Sequence, residues 1–136
     1  MKTKEPVKVL IDTSVWIEFF RGQAPYQNIV LNLIDHNRVC CMGIVLAELI
    51  QGVKSKNELG VIKEFLYVFD FLTDSAEMWT KAGELSLALR QNGKTVGLAD
   101  CYISVVSHAN NVQLLTLDKH FEIIRKEINL NIYSIS

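Results

Sequence analysis

Four short stretches of the chain are apolar almost without interruption: VKVLI in the region of residues 8 to 12, VCCM at 39–42, VFDFL at 68–72 and QLLTL at 113–117. A strand with one face in water alternates apolar and polar residues, whereas a strand covered on both faces reads as a continuous apolar run. The connections between these runs are long enough for one or two helices, and parallel strands require such crossovers because a hairpin cannot join them. A fifth run, NIYSI at 131–135, adds a candidate last strand. The order strand, helices, strand therefore predicts an α/β fold, a three-layer α/β/α sandwich around a central, mostly parallel sheet of about five strands.

The helical segments carry their own periodicity. Tyr26, Ile29, Val30, Leu33 and Ile34 recur at helical spacing, as do Leu59, Ile62 and Leu66, and again Met78, Ala82, Leu85 and Leu89. Asp74 with Glu77 three residues on reads as a capping box opening the last of these, and Gly93 stands where that helix should stop. Trp79 falls in its apolar stripe and is expected in the core. At 136 residues, 49% hydrophobic, with two prolines and seven glycines, the chain suits a single domain with little linker.

A formal charge of −1 excludes a bulk polycation, so a nucleic-acid partner would be held by a local surface. Three cysteines, two of them adjacent, make a poor disulfide framework and show no metal-type spacing, which fits buried thiols in a reducing compartment. No run approaches a membrane span and the N-terminal apolar stretch is too short for a signal peptide, so a cytoplasmic protein is expected. The leader Met1 to Pro6 suggests no role.

In a parallel sheet, ligands bind beyond the carboxyl ends of the strands. Asp12 ends the first run and Asp118 follows the fourth, so these acids can share one edge. Each also has a simpler explanation. Asp12 with Thr13 and Ser14 fits a cap for the helix VWIEFF, Asp118 fits a cap for the helix after it, and Asp100 suits the positive end of the helix VGLADCYISVVSHA. Glu48 is the only charge in the apolar helix GIVLAELIQGV. If the four converge, each pair a few ångströms apart repels by roughly 3 to 4 kcal/mol at an effective dielectric of about 20, a cost that a divalent cation removes. Oxygen-only ligands favour Mg2+ or Mn2+, and a metal so held can activate water against a phosphodiester.

The segments VLIDTSVWIEFFRG, GIVLAELIQGV and GLADCYISVVSHANNVQLLTLDKHFEII together resemble the PIN-domain family, and more closely its VapC-type toxins of toxin–antitoxin pairs. That resemblance implies a Mg2+- or Mn2+-dependent endoribonuclease acting on transfer or ribosomal RNA. It implies that Asp12, Glu48, Asp100 and Asp118 bind one or two metal ions, with Ser14 and Thr116 orienting them. It also implies a homodimer silenced by a VapB-type antitoxin laid across the early helices, where Trp16, Phe19, Phe20 and Tyr26 offer either an apolar groove or core. His120 stands where relatives often carry another acid, and otherwise reads as a solvated surface histidine. Two other readings remain open at this point: a catalytically silent PIN-like module that binds RNA or protein, and a phosphoacceptor or phosphatase with Asp12 as nucleophile.

Overall fold

The structure, a computed structural model, describes residues 6–135. All but Pro6 of the leader Met1 to Pro6 lies outside these described residues. The chain runs β1 (Val9–Ile11), α1 (Thr13–Phe20), α2 (Tyr26–Asp35), β2 (Val39–Cys41), α3 (Gly43–Gln51), α4 (Lys56–Leu66), β3 (Asp70–Phe71), α5 (Ala76–Gln91), α6 (Leu98–Ala109), β4 (Gln113–Leu115) and α7 (His120–Ile128).

The strands form one parallel sheet in the order β3-β2-β1-β4. The chain steps outward from β1 to β2 and β3, then returns to place β4 on the other side of β1. Because crossovers between parallel strands are right-handed, this reversal sends the later helices to the opposite face of the sheet. The helix contacts divide accordingly: α1 packs on α2 and α3, and α3 on α4, while α5 packs on α6 and α6 on α7. The result is the expected three-layer sandwich.

Two strand expectations need correction. The run NIYSI does not form a full strand; it meets β4 at one parallel bridge between Leu114 and Ile132, closed by Leu114 N–H to Asn131 O and Tyr133 N–H to Leu114 O, each 2.8 Å. The sheet therefore has four strands and a one-residue extension. The run VFDFL is not covered on both faces: β3 is an edge strand, with Asp70 exposed and Phe71 half-buried. Pairing on one side only leaves its other flank to water, and Val68 just before it is 74% exposed.

The core lies where the sheet meets its helices. Val9, Leu10 and Ile11 of β1 are fully buried, and beside them stand Val39, Cys40 and Cys41 of β2 and Leu114 and Leu115 of β4. All three cysteines are free and buried, and burial pushes the Cys40 thiol up to about 12 and the Cys41 thiol to about 11, so both are inert hydrophobes. On the α1 side, Trp16, Phe19, Phe20, Phe65 and Phe69 form a cluster of rings with centroids 5.4–6.0 Å apart. Trp16 and Phe19 are thus core, not groove.

On the other face, α5 buries Ala82, Leu85 and Leu89 and ends before Gly93, whose φ of +77° suits glycine. Its cap is Ser75, which accepts from Met78 N–H, and not Asp74. Asp74 is engaged elsewhere, accepting from the Tyr102 hydroxyl at 2.7 Å. Trp79 is also misplaced by periodicity: Tyr102 takes the buried position, and Trp79, 43% exposed, stacks flat on it at 3.5 Å between centroids.

Candidate active site

The sheet order reverses between β1 and β4, and a crevice opens beyond the carboxyl ends of strands at such a switch point. Register fixes what lines it. Ile11 pairs with Leu115, and the Asp12 amide donates to Leu115 O at 2.9 Å, so the next residues out, Asp12 and Thr116, are neighbours.

Asp12 occupies the N-cap position of α1, with its backbone carbonyl accepting from Val15 and Trp16, yet its side chain makes no capping hydrogen bond. The carboxylate turns instead to the crevice, where Oδ2 accepts from Ser14 Oγ at 2.9 Å and from Thr116 Oγ1 at 2.8 Å. The direction of both hydroxyls is determined by what they accept. Ser14 Oγ takes the Leu117 N–H and Thr116 Oγ1 takes the Asp118 N–H, each at 3.0 Å, so the remaining hydroxyl protons point at Asp12. Asp12 is 6% exposed, and two aligned donors to one oxygen are what let a carboxylate sit there.

The other acids arrive from separate elements. Glu48 projects from α3 and accepts from Thr13 Oγ1 at 3.2 Å. Burial raises its pKa above the ordinary value, the Thr13 hydrogen bond lowers it and the Asp12 charge raises it. Asp100 stands in the first turn of α6, where the helix dipole favours its charge. Even so its carboxyl is pushed up to about 6, first by burial, then by Asp118 and Asp12, with His120 opposing and Glu48 adding a further increment. Asp118 follows β4 and accepts from the His120 amide at 2.9 Å; it ties down the first residue of α7 although the N-cap position itself is Lys119.

Asp100, Asp118 and His120 each offer a ligand atom, and these atoms lie within 4.8 Å of one another. Asp12 and Glu48 flank this compact set, close enough for their charges to raise Asp100. The donor chemistry fits a divalent cation: carboxylates from two helices, α3 and α6, and from the ends of two strands, β1 and β4, are gathered at one crevice, an arrangement that a cation relieves.

Two participants were not assigned to the site from sequence. Thr13 holds Glu48, and the only available signal was a second hydroxyl directly after Asp12. His120, read as a solvated histidine, directs Nδ1 to within 3.3 Å of Asp118 Oδ1 and 3.7 Å of Asp100 Oδ2.

A groove of about 460 Å³ runs beside the site between α1, α3 and α4, with Ile17, Phe20, Leu49, Val61 and Ile62 on its walls and Glu48 among its lining residues. Its α1 wall is therefore Ile17 and Phe20 rather than Trp16 and Phe19. Among the described residues no helix is long and apolar enough to cross a membrane.

The sequence pattern of the PIN domain matches residues 9–127. Ribonuclease VapC1 of Methanocaldococcus jannaschii is 28% identical over 131 residues, covering 96% of this chain and 90% of that one. Ribonuclease VapC11 of Mycobacterium tuberculosis is 25% identical over 127 residues, covering 90% and 95%. Among solved structures, VapBC2 from Rickettsia felis bound to a DNA fragment from its promoter superposes with a TM-score of 0.74 at 26% identity, covering 92% of this chain and 96% of that one.

Proposed function

The chain belongs to the PIN domain family, and from that premise we propose that it is a metal-dependent endoribonuclease, the toxin of a toxin–antitoxin pair. The observation that carries the reading is the held carboxylate of Asp12 at the β1/β4 switch point, facing Asp100, Asp118 and Glu48. A silent binding module gives no physical reason to bury an acid under two hydroxyl donors beside a raised Asp100.

Asp12, Glu48, Asp100 and Asp118 would hold Mg2+ or Mn2+. Such a cation supplies Lewis acidity toward a phosphodiester oxygen and acidifies a water for attack. The chain's own groups do the positioning. Ser14 and Thr116 fix Asp12 through Oδ2, and neither hydroxyl engages Oδ1. Thr13 restrains the Glu48 side chain in the same manner. Because the two hydroxyls are themselves tied to the Leu117 and Asp118 amides, the loop after β4 and the start of α1 form one rigid unit. Asp100 gives up its proton near pH 6 in the free protein, so it is available as a ligand at neutral pH.

The relatives named ribonucleases and the neighbours solved as VapBC complexes support RNA as substrate and a VapB-type antitoxin as partner. The α1–α3–α4 groove suits an apolar peptide segment, and Glu48 at its side suits a basic residue carried on that segment. A homodimer, a transfer or ribosomal RNA target and a cytoplasmic location complete the proposal.

The test is to map the 5′ ends of RNAs cut after expression of the wild type, Asp12→Asn and Asp100→Asn. Discrete new ends are expected with the wild type alone, and purified protein should lose cleavage in EDTA. Equal cleavage by all three, with both variants folded by circular dichroism, refutes the reading.

A further inference from the structure

An oxygen-only site would leave the choice between Mg2+ and Mn2+ open, but the compact ligand set here contains one nitrogen. His120 is the first residue of α7, and its amide is tied to Asp118 Oδ1 at 2.9 Å. That bond fixes the turn from which the ring projects. Although the side chain is 54% exposed, the ring does not point freely into water: Nδ1 lies 3.3 Å from Asp118 Oδ1 and 3.7 Å from Asp100 Oδ2. One atom from each of Asp100, Asp118 and His120 falls within 4.8 Å of the others, the span over which one cation can touch all three. Asp118 Oδ1 thus meets both the amide and the ring of His120, which holds the carboxylate and the ring nitrogen on the same side of the turn.

We propose that His120 is a metal ligand through Nδ1, and that it sets the ion preference of the site toward Mn2+ and away from Mg2+. The inference rests on the metal-dependent reading of the same acids. Its chemical basis is general: Mg2+ binds oxygen and parts reluctantly with water, whereas affinity for an imidazole-containing set rises from Mn2+ along the first transition row. The alternative for the same contacts is a simple ion pair between a protonated ring and two carboxylates.

The experiment uses the full-length protein, with Mn2+ and Mg2+ chlorides as probes in titration calorimetry and pulsed electron paramagnetic resonance of the Mn2+ complex. The wild type should show coupling of Mn2+ to a directly bound nitrogen, and His120→Ala should lose it. His120→Ala should weaken Mn2+ by about tenfold or more, as loss of ligand-shell groups does, while Mg2+ changes by less than about threefold. His120→Asp, which restores an all-oxygen set, should reverse the preference by improving Mg2+ relative to Mn2+. Mn2+ bound by the wild type without nitrogen coupling overturns the inference, leaves an ion pair only, and keeps the metal site. Absence of any Mn2+ binding by the folded wild type overturns both.

Discussion

Replacing Asp100 by asparagine is expected to stabilise the metal-free protein at neutral pH while weakening its response to metal. Asp100 has a carboxyl raised from 3.8 to about 6, with burial as the first cause and neighbouring acids next. An acid whose folded-state pKa lies above its unfolded value keeps its proton in the folded chain after the unfolded chain has lost it. Its stabilising effect is therefore complete below about pH 4 and is lost as pH rises through about 6. At ~1.4 kcal/mol per pH unit the full loss is about 3 kcal/mol. Asparagine never ionises, so it escapes that loss. It forfeits the charge at the α6 N-terminus, about 1 kcal/mol, whereas the His120 contact is already contained in the shift.

The net expectation at pH 7.5 in EDTA is a gain of about 2 kcal/mol for Asp100→Asn, or a Tm higher by about 6–8 °C in a domain of this size. At about pH 3.5 the carboxyl is largely protonated in both the folded and the unfolded wild type, and the two proteins should melt together. Adding Mn2+ at pH 7.5 should then raise the wild-type Tm by more than that of the variant. Thermal melts followed by circular dichroism at the two pH values, with and without Mn2+, read all of this. A variant no more stable than the wild type at pH 7.5 in EDTA, or a difference identical at both pH values, would refute the view that these carboxylates are gathered against their own repulsion.

Thr116→Val strips one of the two donors from Asp12 and leaves the Asp118 amide without its acceptor; urea unfolding should show a loss of ~1–3 kcal/mol, and calorimetry a metal affinity lower by about tenfold. Trp16→Ala removes the centre of the α1 ring cluster, and the urea midpoint should fall by the equivalent of about 3–5 kcal/mol. Val61→Glu puts a charge on the wall of the α1–α3–α4 groove at a position 53% exposed, so the fold and RNA cleavage should persist while co-purification with the cognate antitoxin is lost.

The sheet was legible because both signals that define it are local: runs buried on both faces are continuous in sequence, and connection length alone rules out hairpins. The same rule misplaced β3 because Val68, Phe69 and Phe71 look identical in sequence whether a strand is central or at an edge. Only the pairing partner decides that, and β3 has one. Trp79 shows a parallel limit on the helical side. Periodicity assigns a face but not a depth, and it is Tyr102 on α6 that lies between Trp79 and the core.

For the acids, sequence could not separate a helix cap from a ligand, because in this fold they are the same position. The residue that ends β1 must begin α1, so any short polar residue there reads as a cap. What separates the two roles is the rotamer, and the rotamer is held by two hydroxyls, one of which, on Thr116, lies 104 residues away in the chain. The register of β1 on β4 is thus the cause of the site as much as of the sheet: with Ile11 opposite Leu115, Thr116 lands beside Asp12. A slip of one residue would carry its side chain to the other face. Donors are then distributed unequally. Asp12 receives two hydroxyls and Glu48 one, whereas Asp100 has only the His120 ring nearby, and it is on Asp100 that the largest upward shift among the acids falls. The site thus pairs a rigidly held acid with an electrostatically loaded one. Cation binding should relieve the second without reorganising the first, which is why removing the Asp100 charge and removing the Thr116 hydroxyl are expected to move stability in opposite directions while both weaken metal binding.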